Sequence, residues 1–252
     1  MASRGEQRRE AREGGGSAMT RFYWIMGVVA VAGIALVGYA IGSGGSGRAA
    51  VEPVDVEGLD NMETLVAMAQ GVTRGEVDAP VTIAEFADYQ CPACATFGLL
   101  VKPQLDLAYV QSGKARYVFY DFPLTAIHAH AFLAARAGRC ANDQGRFWEF
   151  QQVVLRNQST WSPKQQVQGD FAQYAADAGA DRSTFEACLR SDAHADVVTA
   201  NMRLGEELGV QGTPTVMVSM GRGMARRVPR TDFASIQAVV EEFLAERAGT
   251  GG

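Results

Sequence analysis

The pattern of apolar and polar positions splits this chain into an early stretch without charges and a longer part built of short strand-like and helical runs. Residues 22–47 carry no charged side chain, and the run FYWIMGVVAVAGIALVGYAIG from Phe22 matches the roughly 20 residues that a bilayer-spanning helix needs. A secretory leader usually has a shorter apolar core of about 7–15 residues and a small-residue cleavage site, of which GSGRAAVE is a poor version. A buried soluble helix needs a surface to pack on, and the neighbours here are an arginine-bearing tail and a glycine–serine linker. The pattern predicts a cytoplasmic tail over 1–21, a retained single transmembrane anchor over 22–42 and a tether over 43–73. Phe22, Tyr23 and Trp24 suit an interfacial aromatic belt, and the five arginines before the helix put the main domain on the far side of the membrane.

Within the tether, METLVAMAQG has the spacing of a short amphipathic helix that lies against the domain. The folded domain opens at residue 74 and continues to 252. VTIAEFA, rich in β-branched and aromatic residues after the Asp78-Ala79-Pro80 turn signal, predicts a strand. From Cys91 the pattern turns helical, ACATFGLLVKPQLDLAYVQSG, with a kink at Pro103 and a stop at Gly113. ARYVFYDFPL predicts a second strand, ended by Pro123. Residues from about 126 to 208 show apolar positions at helical spacing, broken at Gly, Asn and Ser-Pro, with Ser159, Asp181 and Ser183 as N-cap candidates. TPTVMVS predicts a third strand, GRG and MARRVPR a hairpin into an edge strand that tolerates Pro229, and TDFASIQAVVEEFLAERAG a closing helix. The order is β-α-β, a helical block, then α-β-β-α.

Charge changes the picture only by exclusion. Residues 1–21 hold five of the 23 basic and three of the 28 acidic residues, which leaves 18 basic and 25 acidic residues in the rest. An acidic main domain without a basic stripe argues against a nucleic-acid partner. Outside the cytoplasm disulfides form and persist, so the four cysteines are expected as two pairs.

Cys91 and Cys94, in EFADYQCPACATF, admit three readings: a structural bridge, half a metal site, or a redox pair. A closed zinc site wants four Cys or His ligands, usually as two short-spaced pairs, and there is one CxxC with His128, His130 and His194 far off in sequence. A bridge across so short a loop constrains the unfolded chain little. The redox reading explains more. Cys91 follows a strand and opens a helix, where free N–H groups and the helix dipole favour a thiolate. Pro92 suits the first helical turn, where no N–H is needed, and Cys94 stands one turn on, within reach of a mixed disulfide at Cys91. Glu85 falls in a strand otherwise fit for burial, where its carboxyl would have a raised pKa and could relay the proton of Cys94. The alternative for Glu85 is a strand-edge carboxylate facing solvent.

APVTIAEFADYQCPAC, FYDFPL, AGRCANDQGRFWEF and GVQGTPTVMV together resemble the DsbA-type branch of the thioredoxin superfamily, over residues 74 to the C-terminus. The resemblance implies an α/β thioredoxin fold interrupted by a helical insertion at about 126–205. It implies that Cys91 is the exposed nucleophile, Cys94 the resolving cysteine and Glu85 the buried acid, with no cofactor beyond the redox-active disulfide. By the same resemblance Thr213-Pro214 is the cis-proline loop opposite the active-site disulfide, where substrate binds. Some members carry a second, structural disulfide in the insertion, expected here between Cys140 and Cys188. It would close a loop worth roughly 4 kcal/mol at most in the chain-entropy model; the alternative is two buried free cysteines. The chain departs from the best-known oxidases at Ala93, where those have histidine, and without the imidazole Cys91 should be less acidic. His128 and His130 either approach the cysteine pair or sit on a partly exposed helix start. Trp148, Phe147 and Phe150 read as core, and Arg226, Arg227 and Arg230 as a solvated edge strand.

The reading that follows is an oxidoreductase held in the bacterial cytoplasmic membrane by one helix, with its domain facing the periplasm or cell exterior. Its Cys91–Cys94 disulfide would pass to unfolded or reduced exported proteins, and a quinone-linked membrane oxidase of the DsbB or VKOR type would reoxidise it. The rivals are a reductase or isomerase using the same residues in reverse, and a non-catalytic thioredoxin-fold binding module.

Overall fold

In the computed structural model, residues 50–221 and 225–250 are described. The anchor predicted over 22–42 lies outside the described residues; among those described, no helix is long and apolar enough to cross a membrane.

The fold starts upstream of residue 74. Helix α1 (Met62–Met68) is capped by Asn61, whose side chain accepts from the amides of Glu63 and Thr64, and strand β1 (Val72–Arg74) follows. Leu65 and Ala69 bury against Ala200 and Leu204, so the helical part of the predicted tether belongs to the folded unit. The segment before it is pinned as well: Arg136 donates to Ala50 O at 2.9 Å, and Val54 N donates to Thr199 Oγ1 at 3.1 Å. Three residues of β1 gave too short a run to be read as a strand.

Strand β2 (Val81–Ala87) leads into α2, a continuous helical stretch over 92–110, and then β3 (Ala115–Asp121). In α2, α-helical turns (Pro92–Thr96, Lys102–Leu105) alternate with π-helical ones (Phe97–Val101, Asp106–Val110). Pro103 accounts for the first of the π-helical ones: it lacks an N–H and its ring crowds the carbonyl of Leu99, so the helix widens over the preceding turn. The helical block comprises α3 (Ala131–Asn142), α4 (Phe147–Arg156), α5 (Gln158–Trp161), α6 (Gln168–Asp177), α7 (Arg182–Arg190) and α8 (Ala195–Glu207). Strands β4 (Thr215–Met220) and β5 (Arg226–Arg227) and helix α9 (Phe233–Thr250) complete the chain. Asp181 caps α7 by accepting from Thr184 N at 2.8 Å. The other two predicted caps are not caps: Ser183 lies in the first turn and donates to Asp181, and Ser159 is inside α5, whose cap position is Asn157.

The sheet order is β1-β3-β2-β4-β5, with β2 and β3 parallel and the other neighbours antiparallel. The central strand β2 is covered on both faces, and Val81, Ile83 and Phe86 are buried. Its register pairs Glu85 with Phe119 and Val216, and Phe86 with Thr215. The end of β2 and the start of β4 therefore emerge side by side. Cys140 on α3 and Cys188 on α7 form a disulfide across the helical block, with a Cα–Cα distance of 5.8 Å. Phe147 and Phe150 lie in the core, and β5 is exposed with Arg226 ion-paired to Glu242.

Candidate active site

β2 delivers the turn Asp88–Gln90 and then Cys91, the N-cap residue of α2, with Pro92 in the first turn. The helical block braces this turn from above. Gln158 Nε2 donates to Tyr89 O at 2.7 Å and to Cys91 O at 3.0 Å, and Gln90 Nε2 donates to Ser162 Oγ at 2.9 Å. The buried Asp88 carboxylate accepts from Gln90 N at 2.6 Å and Leu124 N at 2.9 Å, and lies 2.6 Å from His128 Nδ1. His128 thus reaches the turn that carries the pair, through Asp88, whose amide donates to Cys94 Sγ at 3.5 Å. His130 points elsewhere, its Nε2 lying 2.6 Å from Lys164 O.

From the other side comes the loop before β4. The Thr213–Pro214 bond is cis, and Cys91 Sγ donates to Thr213 O at 3.3 Å. Cys91 is 8% exposed and Cys94 2%, both as free thiols, while Pro92 and Ala93 are exposed beside them. Cys91, expected as the exposed nucleophile, is thus largely covered by the Thr213–Pro214 loop, with Pro92 and Ala93 exposed beside it and Cys94 buried beneath, and Cys140–Cys188 is apart from this site, between α3 and α7.

The two thiols are chemically unequal. Hydrogen bonding from the Cys94 thiol lowers the Cys91 pKa from 9.0 to about 5, against the opposing effect of burial, helped by Thr213 and the amides of Cys94 and Ala93. Thr213 Oγ1 is buried and otherwise without a partner. Burial first, then Cys91 and Glu85, push Cys94 well above the ordinary thiol range. The helix-start amides expected from sequence contribute least; the neighbouring Cys94 thiol contributes most, with no imidazole at position 93. Absorbance at 240 nm across a pH titration of the reduced protein should show one thiolate appearing with a midpoint near pH 5. Iodoacetamide at pH 6 should then modify Cys91 and spare Cys94; equal modification of both would contradict this asymmetry.

Glu85 is 2% exposed, which rules out the solvent-facing alternative. Burial raises its pKa from 4.5 to about 7, offset in part by the Tyr117 hydroxyl, which donates to Glu85 Oε2, and by the charge of Lys102. Lys102 is itself buried, 2.7 Å from Asp106 Oδ2 and stacked over the rings of Trp148 and Tyr117 at 4.4 and 5.0 Å. Glu85 and Cys94 line a common cavity of about 10 Å³ with Gln151 of α4, whose Oε1 has no protein partner. That volume suits a single water, the usual partner of a buried orphan oxygen and a carrier for a proton between the two groups. Tyr117, Lys102, Asp88 and Gln151 were not anticipated from the sequence. Lys102 had a signal, a lone cation within the apolar run from Phe97 to Leu105; Gln151 had none.

The thioredoxin family model matches residues 68–229. The chain is 30% identical to the Na(+)/H(+) antiporter NhaA 3 of Salinispora tropica over 76% of its own length, but it spans only about a quarter (28%) of that antiporter. It is 26% identical to the probable disulfide bond formation protein D of Bacillus cereus, over 73% of this chain and 84% of that one. Its fold is similar to the crystal structure of oxidised BdbD from Bacillus subtilis, with a TM-score of 0.61 at 24% identity, over 69% of this chain and 92% of that one.

Proposed function

The chain belongs to the thioredoxin family, and within it is DsbA-like; from that premise we propose that it is a thiol–disulfide oxidoreductase that donates its Cys91–Cys94 disulfide to exported proteins outside the cytoplasm. The observation that carries the direction is the inequality of the two thiols. A stable Cys91 thiolate favours the reduced enzyme, and a disulfide whose reduced form is stabilised is a stronger oxidant.

In the forward reaction a substrate thiolate attacks the Cys91 sulfur. The Cys91–Cys94 bond breaks, a substrate–Cys91 disulfide forms, and Cys94 leaves as a thiolate. With a strongly raised pKa, Cys94 needs a proton at once, and Glu85, with its pKa near 7, is half-protonated at neutral pH and can supply it. A second substrate thiolate then attacks the substrate sulfur and expels Cys91, a good leaving group because of its low pKa. The substrate leaves with a disulfide, the enzyme with two electrons. Pro92, Ala93, Thr213 and Pro214 form the surface that receives the substrate. A quinone-linked membrane oxidase of the DsbB or VKOR type would take the electrons, and a membrane helix over 22–42 would hold the domain beside it.

Equilibration of the Cys91–Cys94 pair with glutathione buffers tests this reading, with Cys140–Cys188 left oxidised. A potential of about −120 to −180 mV is expected of a disulfide donor. A value near about −270 mV, as in thioredoxin, would make the reductase reading the right one.

A further inference from the structure

The three arginines expected on a solvated edge strand meet unequal surroundings in the fold. Arg226 is neutralised by Glu242 of α9, and its guanidinium lies 4.8 Å from the centre of the Phe243 ring. Arg227 has no carboxylate within ion-pair distance among the described residues. Its Nη2 donates to the Gly209 carbonyl at 2.6 Å, which holds the side chain and leaves its charge whole. Glu206 and Glu207, the acids nearest to Gly209 along the chain, are taken by Arg203 at 3.4 and 2.8 Å. Arg230 pairs through Nε with Asp232 at 2.8 Å, its side chain 78% exposed. That aspartate is also engaged at its other oxygen, which accepts from Ser235 N at 2.8 Å.

Arg227, Arg230 and Asp232 are the charged residues that line a groove of about 650 Å³. Pro214 lines it too, next in the chain to Thr213, whose carbonyl oxygen accepts from Cys91 Sγ at 3.3 Å; Thr96 and Val101 of α2 add no charge. The groove therefore adjoins the reactive sulfur, and two arginines against one aspartate leave it one net positive charge. That runs against the rest of the domain, where 25 acidic residues face 18 basic ones outside residues 1–21. Screening confines the general repulsion to about 8 Å at physiological ionic strength, so a charge seated in the groove answers to the arginines first.

We propose that Arg227, with Arg230, determines specificity: the groove favours a polypeptide segment with an acidic side chain about three or four residues from the cysteine that is exchanged. The inference rests on the oxidoreductase reading above and names the substrates that reading leaves open. The spacing follows from the sheet. Arg227 pairs with Met217, three residues beyond Pro214, a run of about 10 Å at about 3.3 Å per residue, and an extended segment alongside covers the same length in three residues. A guanidinium already held by Gly209 loses little freedom when a carboxylate docks on it. β5 ends the sheet, and Pro229 has no N–H to offer a further strand, so side chains rather than edge bonding grip the segment.

The test uses the oxidised full chain and capped single-cysteine peptides, uncharged apart from Glu, Gln or Lys at the third or fourth residue to either side of the cysteine. Two peptide thiols reduce one Cys91–Cys94 disulfide and join as a peptide disulfide, and the rate is read from the thiols that appear on the protein. Each rate is divided by that of the same peptide with hydroxyethyl disulfide, which removes the effect of the charge on the peptide thiol itself. Glu is expected to exceed Lys by about tenfold at low salt, with Gln between, and by no more than about threefold in about 0.5 M salt. Arg227→Gln with Arg230→Gln should bring the ratio to about one, and Arg227→Lys, which keeps the charge without the fork, should leave an intermediate ratio. A Glu-to-Lys ratio below about two in the unmodified chain overturns the inference whatever the variants do, and so does a ratio that persists in the double variant. Peptides that all react alike overturn this inference alone. Peptides none of which reacts, in this direction or as disulfides with the reduced chain, overturn the oxidoreductase reading and the inference with it.

Discussion

Cys91→Ser is expected to lower thiol–disulfide exchange by at least about a thousandfold, because the attacking or attacked atom is lost outright rather than weakened. A serine oxygen cannot enter a mixed disulfide. Cys94, the other thiol of the pair, is nearly inaccessible and held protonated by burial, so it cannot take over. Cys94→Ser should behave differently. It leaves the reactive thiolate of Cys91 in place but removes the internal sulfur that displaces trapped substrates, so chains should accumulate as reducible adducts on Cys91. Exchange assays with a reduced, unfolded substrate and non-reducing gels of the two variants measure both effects. Loss of exchange in Cys91→Ser excludes the non-catalytic binding-module reading, whereas activity that survived it, or an adduct-free Cys94→Ser, would place the nucleophile elsewhere.

The second large effect concerns stability and runs against function. The folded Glu85 carboxyl titrates near pH 7, and the unfolded one at the ordinary 4.5. Between these values the unfolded state binds fewer protons than the folded one, so folding stability falls as pH rises through that window. It is fully present below about pH 4.5 and lost above about pH 7, and the raised pKa corresponds to about 3 kcal/mol. Glu85→Gln keeps the size of the side chain and an oxygen for the Tyr117 hydroxyl but cannot ionise. The reduced variant should therefore match the parent in urea unfolding at pH 4 and exceed it by up to about 3 kcal/mol at pH 8. Protonation of the leaving Cys94 should at the same time slow by up to about a hundredfold at neutral pH. A stability difference that is the same at both pH values would show that the carboxyl does not titrate in this window.

How much of this was legible in the sequence depended on how local each feature is. The strand Val81–Ala87 was readable because a buried central strand is an apolar run bounded by turn residues, and Glu85 drew notice as the one charge in it. The reactive turn was readable because CPAC after a strand has few other uses. The cis bond at Pro214 came from family resemblance alone, since nothing in the dipeptide shows an isomer. What escaped was non-local. Strand β1 is defined by its pairing with β3, not by its three residues. Gln151 and Gln158 lie on polar positions of helical runs, and only the docking of α4 and α5 on the CPAC turn turns them inward.

The pairing of β2 with β4 also sets a clock. Cys91 and Thr213 are in contact at 3.3 Å but lie 122 residues apart along the chain. At about 5–20 residues per second, synthesis separates them by roughly 6–24 s. During that interval the CPAC turn lacks the Thr213 loop and the β4 strand, and contacts of such sequence separation are the last that folding rewards. The cysteine pair is thus threaded out early and completed late. A half-made chain offers passing proteins a blunter thiol than the finished one, and the full reactivity of Cys91 arrives together with the scaffold that governs what it may touch.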